Sequence, residues 1–182
     1  MKLNAILKPV VILLTVTALM GALLAGVNFA TRDAIAQAKA QKATQAIAAV
    51  LPGAAAPEVI SFEDDTALVQ TVYRTDLGYA VETTPAGFGG SIALMVGVDP
   101  SGRVLGVSVI SHTETPGLGA VAAAKTAAGE AFRSQFVGQA PLAVKQDGGS
   151  VDALTGATIT SRAIAQGVNA AAQCVLRLEG AA

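Results

Sequence analysis

The residues best suited to chemistry lie in one run, Val151-Asp-Ala-Leu-Thr-Gly-Ala-Thr-Ile-Thr-Ser-Arg162. Small and hydroxyl side chains there separate a polar glycine turn from an apolar segment. Gly156 and Ala157 remove bulk beside Thr158, so a large planar ligand, or an enzyme delivering one, could approach that hydroxyl closely. The run therefore reads as an attachment site. Beyond it, Ile164, Val168, Ala171, Val175 and Leu178 recur at helical spacing, and Thr160 or Ser161 is the expected cap. Unpaired N–H groups and the positive end of a helix dipole favour a phosphate there, with Arg162 adding a charge-assisted contact. Residues 155–158 taken alone also read as a turn ending in a helix cap, so the rest of the chain has to decide.

A second stretch, Ser111-His-Thr-Glu-Thr-Pro-Gly-Leu-Gly-Ala120, supplies a stiff loop. Thr115 precedes proline and is pushed toward extended backbone, and Pro116-Gly117 fits a turn that needs a positive φ at glycine. Gly117 and Gly119 flank Leu118, which can project an apolar side chain toward a ligand while neighbouring N–H groups face ring heteroatoms. The plainer alternative is a surface turn before an alanine-rich helix over Ala120–Phe132. His112, the single histidine, reads as a loop residue fixed to the backbone in preference to a proton donor.

Composition narrows the classes. Hydrophobic residues make up 52% of the 182, concentrated near the start. The net charge is −1 with no Lys/Arg block, which argues against a nucleic-acid partner. One cysteine, Cys174, allows no internal disulfide and no cysteine cluster, so no metal site is expected. At its place in the last helix it reads as a small packed side chain. With no Trp and 4% aromatics, ring stacking would fall mainly to aliphatic side chains, a difficulty that a covalent tether removes. No residue reads as an autonomous catalytic group.

The elements that must position these stretches follow from the periodicity. Residues 1–8 form a short N-terminal segment with Lys2 and Lys8, and residues 9–31 carry no charge. About 20 apolar residues suffice to cross a bilayer, and this core is long with no clean small-x-small site after it, so an uncleaved transmembrane helix is expected over a signal peptide. Besides Thr31 at its end, Thr15, Thr17 and Asn28 are its only polar side chains, which makes it an anchor and not an ion pathway. Ala18, Ala22 and Gly26 align to admit another helix and predict neighbouring membrane subunits. Cations on both flanks leave the orientation open. Residues 32–57 read as a helical linker leading away from the membrane with a solvated charged face, stopping at Pro52-Gly53 and passing through Gly53–Pro57.

From residue 58 the period becomes two. Leu68–Tyr73, Gly78–Thr83, Ile92–Val98 and Arg103–Ile110 read as strands, with a flexible Gly87–Gly90 loop and a tight reversal at Asp99-Pro-Ser-Gly102. The expected fold class is α+β: a single N-terminal transmembrane helix followed by a small domain, residues 58–182, of antiparallel sheet plus helices.

Four motifs in order carry a family resemblance: Gly-Gly-x-Ile at 89–92, Val-Gly-Val-Asp at 96–99 with Gly102, His-x-Glu-Thr-Pro-Gly-Leu-Gly at 112–119, and Asp152-x-x-Thr-Gly-Ala-Thr-x-Thr160. The last resembles the flavinylation motif of the FMN-binding subunits of bacterial Rnf and NQR complexes, and the set over Gly78–Gly167 is similar to the FMN-binding domain of the Rnf G subunit. Length and the single anchor also resemble the Rnf protein more than the longer NQR C subunit. The resemblance implies FMN joined through its phosphate to Thr158, with Thr155, Gly156, Ala157, Thr160, Ser161 and Arg162 around the attachment. It places Glu114, Thr115, Gly117 and Leu118 close to the flavin and makes Asp152 part of the sequence read by a flavin transferase during maturation. It further implies an inner-membrane protein with residues 1–8 cytoplasmic and the FMN-binding domain periplasmic. Such a chain relays electrons among other membrane subunits of an ion-translocating ferredoxin:NAD oxidoreductase. Two readings stand beside it: an FMN-carrying subunit of an NQR-type or other respiratory complex, and a cofactor-free, membrane-anchored assembly module.

Overall fold

The apolar run forms a helix, α1, that extends without a break from Leu3 to Val50, through residues 9–31 and most of the expected linker. The computed structural model describes residues 3–55, 57–62, 67–138 and 140–180. Met1 and Lys2 of the N-terminal segment and Ala56 of the Gly53–Pro57 stretch lie outside the described residues. Large apolar side chains from Leu7 to Phe29 are exposed all round the helix, as suits lipid and not water. By length and composition it is the one helix among the described residues able to cross a membrane. The hydroxyls of its apolar part are satisfied within the helix, Thr15, Thr17 and Thr31 donating to the carbonyls of Val11, Leu13 and Val27 at 2.8, 2.9 and 2.8 Å. Insertion therefore leaves no such donor unpaired in hydrocarbon.

The chain forms two compact units, Met1–Gln41 and Lys42–Ala182. The second contains a five-stranded antiparallel sheet of β1 (Glu58–Ile60), β2 (Val69–Thr75), β3 (Gly78–Thr83), β4 (Ala93–Val98) and β5 (Val104–Ser111), laid down in sequence order. The reversal between β4 and β5 forms as its residues dictate. Gly102 takes φ +83° and donates its N–H to the Asp99 carbonyl at 2.9 Å. The Asp99 carboxylate accepts from the Ser101 and Arg103 N–H groups at 2.8 and 3.0 Å.

Both faces of the sheet are covered. On one, Val72, Val81, Leu94, Val96 and Val98 pack with Ile164, Val168, Ala171 and Val175 of the last helix, α3 (Thr158–Leu178). Each such fully buried aliphatic side chain stabilises by about 1.5–3 kcal/mol. On the other, Ala46, Ile47, Val50 and Leu51 are buried with Ala80 and Met95. The last turns of α1 are thus a wall of the second compact unit, Lys42–Ala182. Gly97 and Gly106, paired across β4 and β5, make this seat possible: a Cβ at either would lie 2.8 or 3.1 Å from the Val50 carbonyl oxygen.

The helix expected over Ala120–Phe132 is instead two pieces, a 3-10 helix at Gly119–Ala123 and α2 at Ala127–Ser134. Ala124 turns extended, and Thr126 begins a new helix by accepting the Gly129 N–H at 3.4 Å. Arg133 closes the bend by donating to the Ala122 and Ala124 carbonyls at 2.7 and 3.0 Å.

Candidate functional site

Three segments meet at one end of the domain: the β3–β4 loop, the loop after β5, and the turn that leads into α3. The turn is built first. Ala157 N–H bonds to the Leu154 carbonyl at 2.9 Å with Gly156 at φ +72°, the conformation for which glycine is suited. α3 then starts at Thr158, and no side chain caps it. Thr160 and Ser161, expected as caps, lie inside the first turn and are buried. Ser161 Oγ accepts from Leu154 N–H and donates to the Ala157 carbonyl, both at 3.0 Å, so it braces the turn from behind. The uncapped helix start leaves N–H groups to meet an anion.

The loop after β5 also folds as its residues dictate. Leu118 N–H bonds to the Thr115 carbonyl at 3.2 Å across Pro116-Gly117, with Gly117 at φ +77°. His112 accepts the Glu114 N–H at Nδ1, 3.2 Å away, and so is a loop-fixing residue. Glu114 turns inward. Its carboxylate accepts from Gly89 N–H of the β3–β4 loop at 2.9 Å and from the Thr160 hydroxyl at 2.6 Å.

Between the three segments is a cavity of about 360 Å³, within the range of small-molecule pockets. Glu114, Thr115, Leu118, Gly156, Ala157, Thr158 and Thr160 of the expected set line it. Four do not. Thr155 and Gly117 are exposed turn residues, and Ser161 lies behind the wall. Arg162 is the clearest departure: its guanidinium makes two 2.6 Å bonds to Asp147, away from the cavity. That bond holds the Asp147 carboxyl below its usual range and pushes the arginine up. Asp152 is likewise engaged at the surface, 2.8 Å from Lys145. The lining also includes Phe88, Gly119 and Ile159. The aromatic wall is hidden in the sequence because the Gly87–Gly90 stretch reads as a flexible loop, although its one large side chain marks it.

The cavity fits a planar group with a phosphate tail. Phe88 and Leu118, 71% and 43% exposed, offer apolar surface. A Cβ at Gly156 would lie 3.1 Å from Leu118 Cδ2, so glycine keeps that wall open. The hydroxyl of Thr158 lies at the uncapped helix start. Residues 87–173, which include all three segments, match the FMN-binding domain family, and an FMN-binding domain is what this fold and cavity define. The chain is 33% identical over 173 residues to the G subunit of the proton-translocating ferredoxin:NAD(+) oxidoreductase complex of Clostridium ljungdahlii, covering 92% of this chain and 90% of that one. It is 37% identical over 156 residues to the G subunit of the ion-translocating oxidoreductase complex of Haemophilus influenzae, covering 77% and 75%. With the corresponding protein of Methanosarcina acetivorans identity is 32% over 187 residues, covering 96% and 97%. The chain belongs to this family of G subunits of ion-translocating oxidoreductase complexes.

Proposed function

We propose that the chain is the FMN-carrying electron-transfer subunit of a membrane-bound, ion-translocating ferredoxin:NAD oxidoreductase, and that FMN is held covalently through its phosphate on Thr158. The observation that carries this is the position of Thr158, at the uncapped start of α3 and in the wall of the FMN-domain cavity. Thr160 is the less suitable acceptor, since it is 1% exposed and its hydroxyl is bound to Glu114. Bound FMN supplies one-electron redox capacity, which none of the described side chains provides. The chain's own residues would hold and orient it: the uncapped α3 start would receive the phosphate, Leu118 and Phe88 would give the ring apolar surface, and the small Gly156 and Ala157 keep the approach to Thr158 open. Arg162, tied to Asp147, contributes to placing α3 and not to the phosphate.

In this reading a flavin transferase recognises Asp152 and the following turn, α1 anchors the chain in the inner membrane among other subunits of the complex, and the domain works on the periplasmic side. The test is a denaturing gel of chain made together with the transferase, viewed by flavin fluorescence. A fluorescent band that Thr158→Val abolishes is expected. A colourless parent band removes the covalent assignment, and a band that survives Thr158→Val but is lost with Thr160→Ala moves the attachment to Thr160.

A further inference from the structure

Each wall of the cavity lies on a different segment, and one buried side chain touches all three. Glu114 is 6% exposed and, among the described residues, is the only charged side chain in the lining. Its Oε1 accepts from Gly89, beside Phe88, and its Oε2 accepts from Thr160, two residues beyond Thr158. Its own backbone belongs to the loop that presents Leu118. A second bond joins the same loops, Thr113 Oγ1 donating to the Gly89 carbonyl at 2.8 Å. The space around the carboxylate is kept free of side chains: a Cβ added at Gly87 or Gly119 would collide with a Glu114 oxygen. A buried carboxylate is costly unless its oxygens find donors, so the Gly89 and Thr160 bonds come as a set.

We infer that Glu114 is a positioning residue that fixes the spacing of the cavity walls, setting Phe88 against the Thr158 turn by way of Gly89 and Thr160. It acts on the ring only through those walls. The inference rests on the FMN reading for its optical readout alone.

The test uses the full chain in detergent. In apo protein from cells lacking a flavin transferase, hydrogen exchange of the peptide containing Gly89 should quicken by about 10- to 100-fold in Glu114→Ala, the range for losing a hydrogen bond to a charged group. Glu114→Gln should restore most of the protection, because its amide oxygen still accepts from Gly89 and its NH₂ can donate to Thr160. Thr160→Val should quicken Gly89 exchange although it does not touch Gly89, and Thr160→Ser should not. The Glu114→Ala/Thr160→Val double variant should be no worse than Glu114→Ala alone. In flavin-loaded protein, the visible circular dichroism of the flavin should collapse toward that of free FMN in Glu114→Ala and persist in Glu114→Gln.

Unchanged Gly89 exchange in Glu114→Ala, or additive effects in the double variant, overturns the inference. If Glu114→Ala does not fold, Thr160→Val against Thr160→Ser decides it. Absence of any flavin would remove the FMN reading and leave the exchange result standing.

Discussion

Gly97→Ala adds one methyl group where β4 meets the last turn of α1. Its Cβ would lie 2.8 Å from the Val50 carbonyl oxygen and 3.1 Å from Val50 Cβ, well inside the roughly 3.5–4.0 Å at which carbon contacts are most favourable. No rotamer change relieves this, because both atoms are fixed to the helix backbone. The end of α1 must lift, loosening Ile47 and Leu51, now 5% and 2% exposed. Overpacking of this kind costs about 1–3 kcal/mol. At roughly 3–4 °C per kcal/mol for a unit of this size, Tm should fall by about 3–12 °C. Gly106→Ala, whose Cβ would lie 3.1 Å from the same oxygen, should cost less. Calorimetry of the full chain in detergent reads the shift, and trypsin cleavage after the exposed Lys42 reads the lifting directly. A Gly97→Ala chain that melts with the parent and is cut no faster at Lys42 would refute the seat.

Three further outcomes follow from the same structure. In Arg162→Ala, Asp147 loses the bond that depresses its carboxyl; a group with a lowered folded pKa contributes stability above its unfolded value and loses it as pH falls through the folded one. The small advantage of the parent over Arg162→Ala should therefore be present at neutral pH and vanish on acidification below about pH 4, as followed by circular dichroism. Phe88→Ala should change stability by less than about 0.5 kcal/mol, as for other exposed positions, yet weaken the visible circular dichroism of bound flavin; a large drop in Tm would mean the ring is packed and not a cavity wall. Gly156→Ala forces a side chain to φ +72° at a cost of about 1–2 kcal/mol and narrows the wall beside Leu118, so the yield of the fluorescent band should fall more than that of Gly117→Ala, whose Cβ meets nothing within 4 Å.

The sequence carries local signals well and long-range partners poorly. Asp99–Gly102 and Thr115–Leu118 are legible because turn residues set their own φ and hydrogen bonds within four positions. Four strands are legible from alternation, whereas β1 is three residues long and too short to show a period. The uncapped start of α3 is not legible, because Thr160 and Ser161 are good cap residues and nothing local reveals that the Thr160 hydroxyl is claimed by Glu114, 46 positions away. Arg162 points at a phosphate in the sequence for the same reason, its partner Asp147 lying in a separate turn. The α1 seat is hidden by composition: an alanine-rich helix ending in Pro-Gly looks like a spacer, and the glycines that receive it are on distant strands.

The strict order of the sheet, β1 to β5 with each strand paired to the one just before it, sets a sequence of assembly. Every hairpin can close on a neighbour already made, so the sheet can grow as the chain emerges from the ribosome, with little loop entropy to overcome. The cavity cannot. Its first wall exists once β3 and β4 are joined and its second once β5 has turned, but the third arrives only when α3 folds back across the finished sheet. Glu114 has no Thr160 to receive until that step, and Thr158 has no cavity to face. Acquisition of a ligand that needs all three walls would then follow completion of the domain, so that a half-made sheet carries none.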